Sequence, residues 1–333
     1  MKRKVIIVFD MDGVLIDVRG SYQETVRQTA RLFFKGAKNW EHLPEPLFPL
    51  SDLANIKMSG GLNNDWDLTC LSISLLFSLV KRPECPLGGD NWGRFRREID
   101  GCDVSLLARF LISTDRPLSE LLEREGNERD PFVNSLYKGD VGGGNVIKRI
   151  FQELYLGKRL FETTYKSVPK VYTGEGYINR EKLLVKRSTL RSLAERSVLA
   201  IATGRPEEEA QHALSRFNIE EYFTLVFTLN DCHREEREIF RRNGKRVDLS
   251  KPNPFMLNAI TDSMDSSVSM FFYVGDTVDD MEAAVRARER FIPVGVVEGI
   301  PEKESLAEKL LKAGAKYIIN SIEELKDVIA AEM

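Results

Sequence analysis

The sequence has few cysteines and histidines and no strong excess of charge of either sign. It contains four Cys, three His, 48 Lys and Arg and 51 Asp and Glu residues, for a formal net charge of −3. This balance excludes the strongly basic surface that nucleic-acid binding or a polybasic membrane anchor requires. No cysteine pair has C-x-x-C spacing, so neither a zinc site nor a disulfide framework is indicated, and we expect a reducing, cytoplasmic setting.

Long hydrophobic runs are also absent. The longest, LTCLSISLLFSLV at 68–80, falls short of the roughly 20 apolar residues that span a bilayer. The N-terminal run VIIVF is interrupted at once by Asp10 and Asp12, so it is too short for the core of a signal peptide. We predict a buried helix for the first run and a buried strand for the second, and no membrane partner.

From residue 185 onward, strand-like and helix-like segments alternate. SVLAIATG, TLVFTL, SMFFYVGD, FIPVGVV and KYIIN have the apolar, β-branched or aromatic composition of strands. This alternation predicts an α/β fold, a Rossmann-like parallel sheet with helices on both faces. We assign VIIVF to the same sheet. Residues 1–17 and 185–333 then form the core, and residues 18–184 are an inserted, mainly α-helical cap domain.

Polar residues follow three of the predicted strands. They are Asp10 and Asp12 after VIIVF, Thr203, Gly204 and Arg205 after LAIA, and Gly275, Asp276, Thr277, Asp279 and Asp280 around the end of FFYVGD. Lys251, in SKPNP, precedes the helix between the last two groups. Because ligands of open α/β sheets bind beyond the carboxyl ends of the strands, we expect these residues to share one site.

The acids of this site indicate a divalent cation. Carboxylates at close range repel one another and do not all stay ionised unless a positive charge lies between them. An all-oxygen set suits Mg²⁺, which commonly takes one or two carboxylates together with water and phosphate oxygens. A carboxylate beside such an ion is able to attack phosphorus, while a second acid handles the proton.

Four short motifs resemble those of a known family and occur in the same order as in that family. FDMDGVLID, IATGR, KPNP and GDTVDD are similar to the four motifs of the haloacid dehalogenase superfamily. An insertion between the first two motifs resembles the helical cap of subfamily I, and KPNP resembles phosphoglycolate-phosphatase-like members. The insertion is larger than the usual four-helix cap, so the resemblance leaves the substrate open.

The resemblance implies a role for each motif residue. Asp10 is the implied nucleophile and Asp12 the general acid and base, while Thr203 and Lys251 bind phosphate. Asp276 is the implied main Mg²⁺ carboxylate, with Asp10 and the backbone carbonyl of Asp12 as further ligands. Asp280 matches the final acid of the fourth motif and is the predicted second acid of the metal site, with Asp279 as the alternative.

Further substrate contacts are predicted on two loops. Gly204 and Arg205 follow Thr203, although a surface salt bridge explains Arg205 equally well. In the cap, MSGGLNNDWDLT at 58–69 supplies Gly61, Asn63, Asn64 and Trp66 as candidate substrate-binding residues. A loop with an Asx-type helix start is the alternative interpretation of this segment.

Together these features predict a Mg²⁺-dependent phosphatase that hydrolyses a small phosphorylated metabolite through an aspartyl phosphate. A sugar phosphomutase keeps all four motifs and stays an alternative. A haloacid dehalogenase is disfavoured because that branch does not need Asp12 or a metal. A receiver-like signalling module would carry its acids as an adjacent pair after the first strand and lack the large insertion.

Overall fold

The computed structural model describes residues 4–59, 64–82, 90–264, 268–299 and 303–333. The chain divides into two compact units. The core unit comprises Met1–Asp17 and Lys182–Met333, and the cap unit comprises Val18–Glu181. The first boundary lies where the sequence predicts it. The second lies three residues earlier than the predicted 184/185 boundary, because Lys182 and Leu183 pair with the strand at Ile16 and Asp17.

A six-stranded parallel sheet forms the centre of the core unit. Its six strands are β1 (Lys4–Phe9), β4 (Ser197–Ala202), β5 (Leu225–Phe227), β6 (Val268–Gly275), β7 (Phe291–Val296) and β8 (Tyr317–Ile319). The order of these strands across the sheet is β5-β4-β1-β6-β7-β8. Two further short strands, β2 (Ile16–Asp17) and β3 (Lys182–Leu183), form a separate antiparallel pair. The predicted α/β class with a Rossmann-like parallel sheet is thereby confirmed.

Strand β1 lies near the middle of the sheet, which explains its apolar sequence. Val5 to Phe9 are all at most 2% exposed, so both faces of the strand are covered. Ile6 and Val8 belong to a hydrophobic cluster with Met256 and Leu257. A central parallel strand is buried on both sides, and it therefore carries a continuous apolar run instead of an alternating one.

The cap unit is mainly α-helical, as predicted. Its helices are α1 (Glu24–Phe33), α2 (Leu50–Ser59), α3 (Asp65–Phe77), α4 (Asn91–Gly101), α5 (Ser105–Ser113), α6 (Pro117–Glu125), α7 (Pro131–Ser135) and α8 (Val146–Tyr165). They bury one continuous hydrophobic core. Every residue of α3 from Leu68 to Phe77 is buried, which accounts for the apolar run found there. Among the described residues, no helix combines the length and the apolar character needed to cross a membrane.

The remaining helices belong to the core unit. They are α9 (Arg187–Ala194), α10 (Glu207–Phe217), α11 (Leu229–Asn243), α12 (Phe255–Asp262), α13 (Val278–Arg286), α14 (Lys303–Lys312) and α15 (Leu325–Glu332). Helix α13 begins directly after β6, with Thr277 as its N-cap and Asp280 completing a capping box. This start fixes the position of Asp280 relative to the strand end.

A buried carboxylate organises the last part of the cap unit. Glu153, on α8, is 0% exposed and accepts hydrogen bonds from the backbone N–H groups of Lys170, Val171 and Tyr172 at 2.8, 2.8 and 3.2 Å. Arg149, one turn earlier, donates to the same carboxylate at 2.9 Å. The buried charge is therefore paired and fully hydrogen-bonded, which is the condition under which burial of a carboxylate is tolerated.

Candidate active site

Three neighbouring strands place the predicted core residues at one edge of the sheet. Asp10 follows β1, and its backbone N–H donates to the carbonyl of Val274 in β6 at 2.8 Å. Thr203 follows β4, and its N–H donates to Phe227 in β5 at 2.9 Å. Because β4, β1 and β6 are adjacent in the sheet order, their carboxyl ends bring the first, second and fourth motifs together.

Three carboxylates converge at this edge. One oxygen from each of Asp10, Asp276 and Asp280 lies within 4.8 Å of the other two. Asp280, not Asp279, is the member of this group from the fourth motif. The set consists of hard oxygen donors with partly buried surroundings, so these residues fit a Mg²⁺ ion.

Two glycines let the acids approach so closely. Gly13 has a φ of +72°, and a Cβ at this position would lie 2.0 Å from Oδ2 of Asp276. A Cβ at Gly275 would lie 2.3 Å from Cβ of Asp280. A side chain at either position would displace one of the acids, which explains why the first and fourth motifs carry glycine there.

Lys251 joins two of the acids. Its Nζ lies 2.9 Å from Oδ1 of Asp10 and 2.7 Å from Oδ1 of Asp280. Asp280 also accepts hydrogen bonds from the hydroxyl of Tyr273 at 2.8 Å and from the N–H of Thr277 at 3.0 Å. Asp280 therefore belongs to the three-acid group and also orients the ammonium group of Lys251.

The three charged groups titrate very differently. Burial raises the pKa of Asp10 to about 7, and the negative charges of Asp280 and Asp12 act in the same direction, against the ion pair with Lys251. Burial also acts to raise the pKa of Asp280, but Lys251 and the hydrogen bonds from Thr277 and Tyr273 outweigh it and lower that pKa. Although burial works against the ammonium of Lys251, Asp10 and Asp280 hold its pKa well above the usual value. In the metal-free chain the positive charge near Asp10 therefore does not balance the negative charge around it, and a divalent cation would reduce this imbalance.

Asp12 lies apart from the three-acid group and contacts Arg205. The Nε and Nη2 atoms of Arg205 lie 2.6 and 2.5 Å from the same atom, Oδ1 of Asp12. The Arg205 side chain is 0% exposed, whereas that of Asp12 is 31% exposed. Direct contact of Arg205 with substrate stays a prediction. The role of the Asp12 carbonyl in the metal set also stays a prediction.

Thr203 and Gly204 form the turn between β4 and Arg205. Thr203 is fully buried, and its Oγ1 accepts a hydrogen bond from the N–H of Arg205 at 3.2 Å. A Cβ at Gly204 would meet nothing within 4 Å, so the backbone here borders open space. The predicted contacts of Thr203 with phosphate and of Gly204 with substrate stay predictions.

Two of the four candidate substrate-binding residues in the cap belong to the described part of the chain. Gly61 and Asn63 lie outside the described residues. Asn64 is the N-cap of α3, and its Oδ1 accepts the N–H of Trp66 at 2.9 Å, so the Asx-type helix start is present. The Nζ of Lys148 lies 3.8 Å from the centroid of the Trp66 ring and 3.0 Å from Oδ1 of Asp140. Substrate binding by Asn64 and Trp66 stays a prediction.

Sequence reasoning missed two contacts of the candidate site. Tyr273 is fully buried in β6 and its hydroxyl donates to Asp280. A tyrosine inside a buried strand needs a partner for its hydroxyl, and this need was the available signal. The link between Arg205 and Asp12 had no comparable signal, because the two residues are 193 positions apart.

Comparison with known proteins identifies the family. A family model described as haloacid dehalogenase-like hydrolase matches residues 5–288, which is most of the chain. The chain belongs to the haloacid dehalogenase-like hydrolases. The resemblance of its four motifs to this superfamily is thereby confirmed. The activity of this hydrolase toward a particular bond is a separate question.

Solved structures of similar fold cover nearly the whole chain. A protein solved by the Northeast Structural Genomics Consortium is 21% identical with a TM-score of 0.63, and 99% of each chain is covered. The phosphatase Tt82 from Thermococcus thioreducens is also 21% identical, with a TM-score of 0.51, over 92% of this hydrolase and 99% of that chain. At this identity the likeness concerns the fold alone.

A curated relative is longer than this chain. An imidazoleglycerol-phosphate dehydratase from Phytophthora nicotianae is 22% identical over 336 aligned residues, covering 98% of this hydrolase and 52% of that protein. The chain thus spans about half the length of the curated relative that it matches.

Proposed function

We propose that this protein is a Mg²⁺-dependent phosphatase that hydrolyses a small phosphate monoester through an aspartyl phosphate on Asp10. The observation that carries the proposal is the convergence of Asp10, Asp276 and Asp280 within 4.8 Å, with Lys251 held against two of them. Membership of the hydrolase family agrees with this chemistry.

Each residue has a distinct part in the proposed reaction. An Oδ of Asp10 attacks phosphorus, and the bond from phosphorus to the leaving oxygen breaks. Lys251 offsets the negative charge at the attacked phosphoryl group. Asp280 holds the lysine in place, and the hydroxyl of Tyr273 holds Asp280, through their hydrogen bonds. Thr203 and the open backbone at Gly204 are the proposed phosphate and substrate contacts. Asp12 gives a proton to the leaving alcohol and later takes one from water.

The metal set in this proposal consists of Asp10, Asp276, Asp280 and the carbonyl of Asp12. When bound, Mg²⁺ would neutralise phosphate oxygens and lower the repulsion between substrate and the acidic site. Hydrolysis of phosphate monoesters without a catalyst is extremely slow, so nucleophile, metal and cations together must lower the barrier by on the order of 20 kcal/mol. Several contributions of a few kcal/mol are therefore needed.

The substrate is proposed only as a class. The residues at the sheet edge recognise the phosphoryl group, and we assign selection of the organic part to Asn64, Trp66 and their loop in the cap. A cytoplasmic location accords with Cys70 and Cys232, which are buried free thiols. A phosphomutase of the same superfamily uses the same core residues, so the products must be identified.

The test is a screen of phosphorylated metabolites and an aryl phosphate with MgCl₂ and with EDTA. Phosphoglycolate, hexose phosphates and imidazoleglycerol phosphate belong in the screen, the last because a relative is named for it. We expect phosphate release that requires Mg²⁺ and a protein mass increased by one phosphoryl group on Asp10 in quenched samples. Turnover that persists in EDTA, or an isomeric phosphate without phosphate release, would contradict the proposal.

A further inference from the structure

The Asp12–Arg205 pair is a close polar contact at the sheet edge, outside the three-acid group. Two donors of one guanidinium, Nε and Nη2, meet a single carboxylate oxygen, Oδ1, at 2.6 and 2.5 Å. Hydrogen bonds from a charged guanidinium at such distances are the strong, orienting kind. Because both donors meet Oδ1, the contact fixes the plane of the carboxylate and leaves its other oxygen, Oδ2, outside the arginine fork.

Burial makes this arrangement costly as a stability device. The Arg205 side chain is 0% exposed, and desolvating a guanidinium costs several kcal/mol unless its partner returns that energy. The carboxylate that it contacts, that of Asp12, keeps 31% of its side chain exposed at the sheet edge. From the buried interior, the guanidinium therefore holds a carboxylate that stays open to solvent.

The backbone of Arg205, not its side chain, supports the local loop. Its N–H donates to Oγ1 of Thr203 at 3.2 Å, and its carbonyl accepts the N–H of Leu229 at 3.0 Å. Any residue other than proline would keep these two bonds. The contact between the guanidinium and the carboxylate of Asp12 is therefore independent of the support that the backbone gives to the loop.

From this geometry we infer that Arg205 is a positioning residue for proton transfer: its buried fork holds Oδ1 of Asp12 and thereby aims Oδ2 at the oxygen that gains or loses the proton. This inference rests on the proposed function. When the phosphorus–oxygen bond to the leaving group breaks, the proton on Oδ2 passes to that oxygen. When water attacks the aspartyl phosphate, Oδ2 takes the proton of water as the bond from Asp10 to phosphorus breaks.

The consequence depends on the leaving group. A nitrophenolate leaves as a stable anion and needs no proton, whereas phenolate and alkoxide gain from a general acid, an effect worth about 10²–10⁴ in rate. Loss of the fork should therefore harm substrates with poor leaving groups selectively. A loosened fold or a damaged metal site would slow all substrates by the same factor.

The experiment measures kcat/KM of Arg205→Met and the unchanged protein, with Mg²⁺, on 4-nitrophenyl, 4-chlorophenyl and phenyl phosphate. This ratio reports the steps up to departure of the leaving group. We expect a loss of about 100-fold for phenyl phosphate and of less than about 3-fold for 4-nitrophenyl phosphate. Rapid mixing of the variant with 4-nitrophenyl phosphate should also give a burst of nitrophenolate, because the second proton transfer becomes slow.

Controls separate positioning from folding and from the proposed function. Arg205→Lys keeps the charge with one donor group and should recover part of the phenyl phosphate activity, and it serves if Arg205→Met does not fold. Asp12→Asn should reproduce the leaving-group dependence, and Arg205→Met added to it should have no further effect. Arg288→Met, which removes a surface ion pair with Asp262, should change nothing.

The outcomes are distinct. Equal losses on the three esters, or additive effects of the Asp12 and Arg205 substitutions, would overturn the positioning role while leaving the phosphatase in place. No Mg²⁺-dependent turnover of any ester by the unchanged protein would contradict the proposed function itself.

Discussion

Both units of the molecule bury charged side chains, and they treat the charges in opposite ways. In the cap unit, Glu153 is satisfied by Arg149 and three backbone N–H groups, so its charge is matched by local donors. In the core unit, Asp10 is buried beside Asp280 and Asp12, and its pKa rises to about 7. The first arrangement stabilises a chain segment, while the second keeps a carboxylate short of positive charge and ready for a ligand that supplies it. Buried charge by itself therefore does not mark a candidate functional site, whereas incomplete compensation of that charge does.

Removing the charge of Asp10 should have the largest effect on activity. Asp10→Asn should lower turnover of an aryl phosphate by at least about 10³-fold, equivalent to about 4 kcal/mol of barrier, because the nucleophile is lost. Its thermal stability without Mg²⁺ should be unchanged or higher, since an unfavourable buried charge is gone. Steady-state kinetics and thermal unfolding measure the two effects.

The matched control for Asp10→Asn is Asp262→Asn, which alters an exposed acid of the same unit. We expect this variant to keep full activity. Substantial residual turnover in Asp10→Asn would assign the nucleophile to another residue.

The reverse result is expected for Glu153 in the cap. Glu153→Ala leaves Arg149 and the N–H groups of residues 170–172 without their buried acceptor, so the free energy of unfolding should fall by about 3–5 kcal/mol. Activity per folded molecule toward an aryl phosphate should persist. Urea unfolding, with Glu123→Ala as the exposed control, measures the loss; equal stability of both variants would refute the role of Glu153.

The response to Mg²⁺ should depend on pH through Asp10. The pKa of this group in the folded, metal-free chain is about 7, above its ordinary value of 3.8, so its contribution to stability is complete below about pH 4 and is lost as the pH rises through about 7. Below pH 7 a proton on Asp10 competes with the cation. The stabilisation by Mg²⁺ should therefore weaken by up to about 1.4 kcal/mol per pH unit on acidification.

Thermal shifts with and without Mg²⁺ at pH 6 and pH 8 test this competition. We expect a larger shift at pH 8, and a small, pH-independent shift in Asp10→Asn. A shift of equal size at both pH values in the unchanged protein would show that Asp10 does not compete for the cation.

The smallest expected effect concerns Asn64 at the start of α3. Asn64→Ala should cost about 1 kcal/mol, because the N–H of Trp66 loses its cap, whereas Asn64→Asp should retain most of the stability. Denaturant unfolding measures this difference. If Asn64 also reads the substrate, Asn64→Asp should change the ranking of phosphorylated metabolites; an unchanged ranking would leave it only as a helix cap.

Much of the core site could be predicted from local patterns. Asp10 follows a run that is apolar on both faces, and acids at the carboxyl ends of parallel strands meet wherever the strands are adjacent. The cap candidates are harder to predict from sequence, because a residue such as Asn64 has a structural role, the N-cap of α3, that explains its presence without any substrate.

By itself, then, the sequence determined the class of fold, the helical insertion, the family and the nearness of the first and fourth motifs, because these depend on hydrophobic patterning and short contiguous motifs. The three-dimensional arrangement was needed to show that Lys251 and Tyr273 both donate to Asp280, and that the guanidinium of Arg205 contacts Asp12. Those pairings depend on strand order and on which side chains are buried together. Chain-distant partners of this kind leave no local pattern in the sequence.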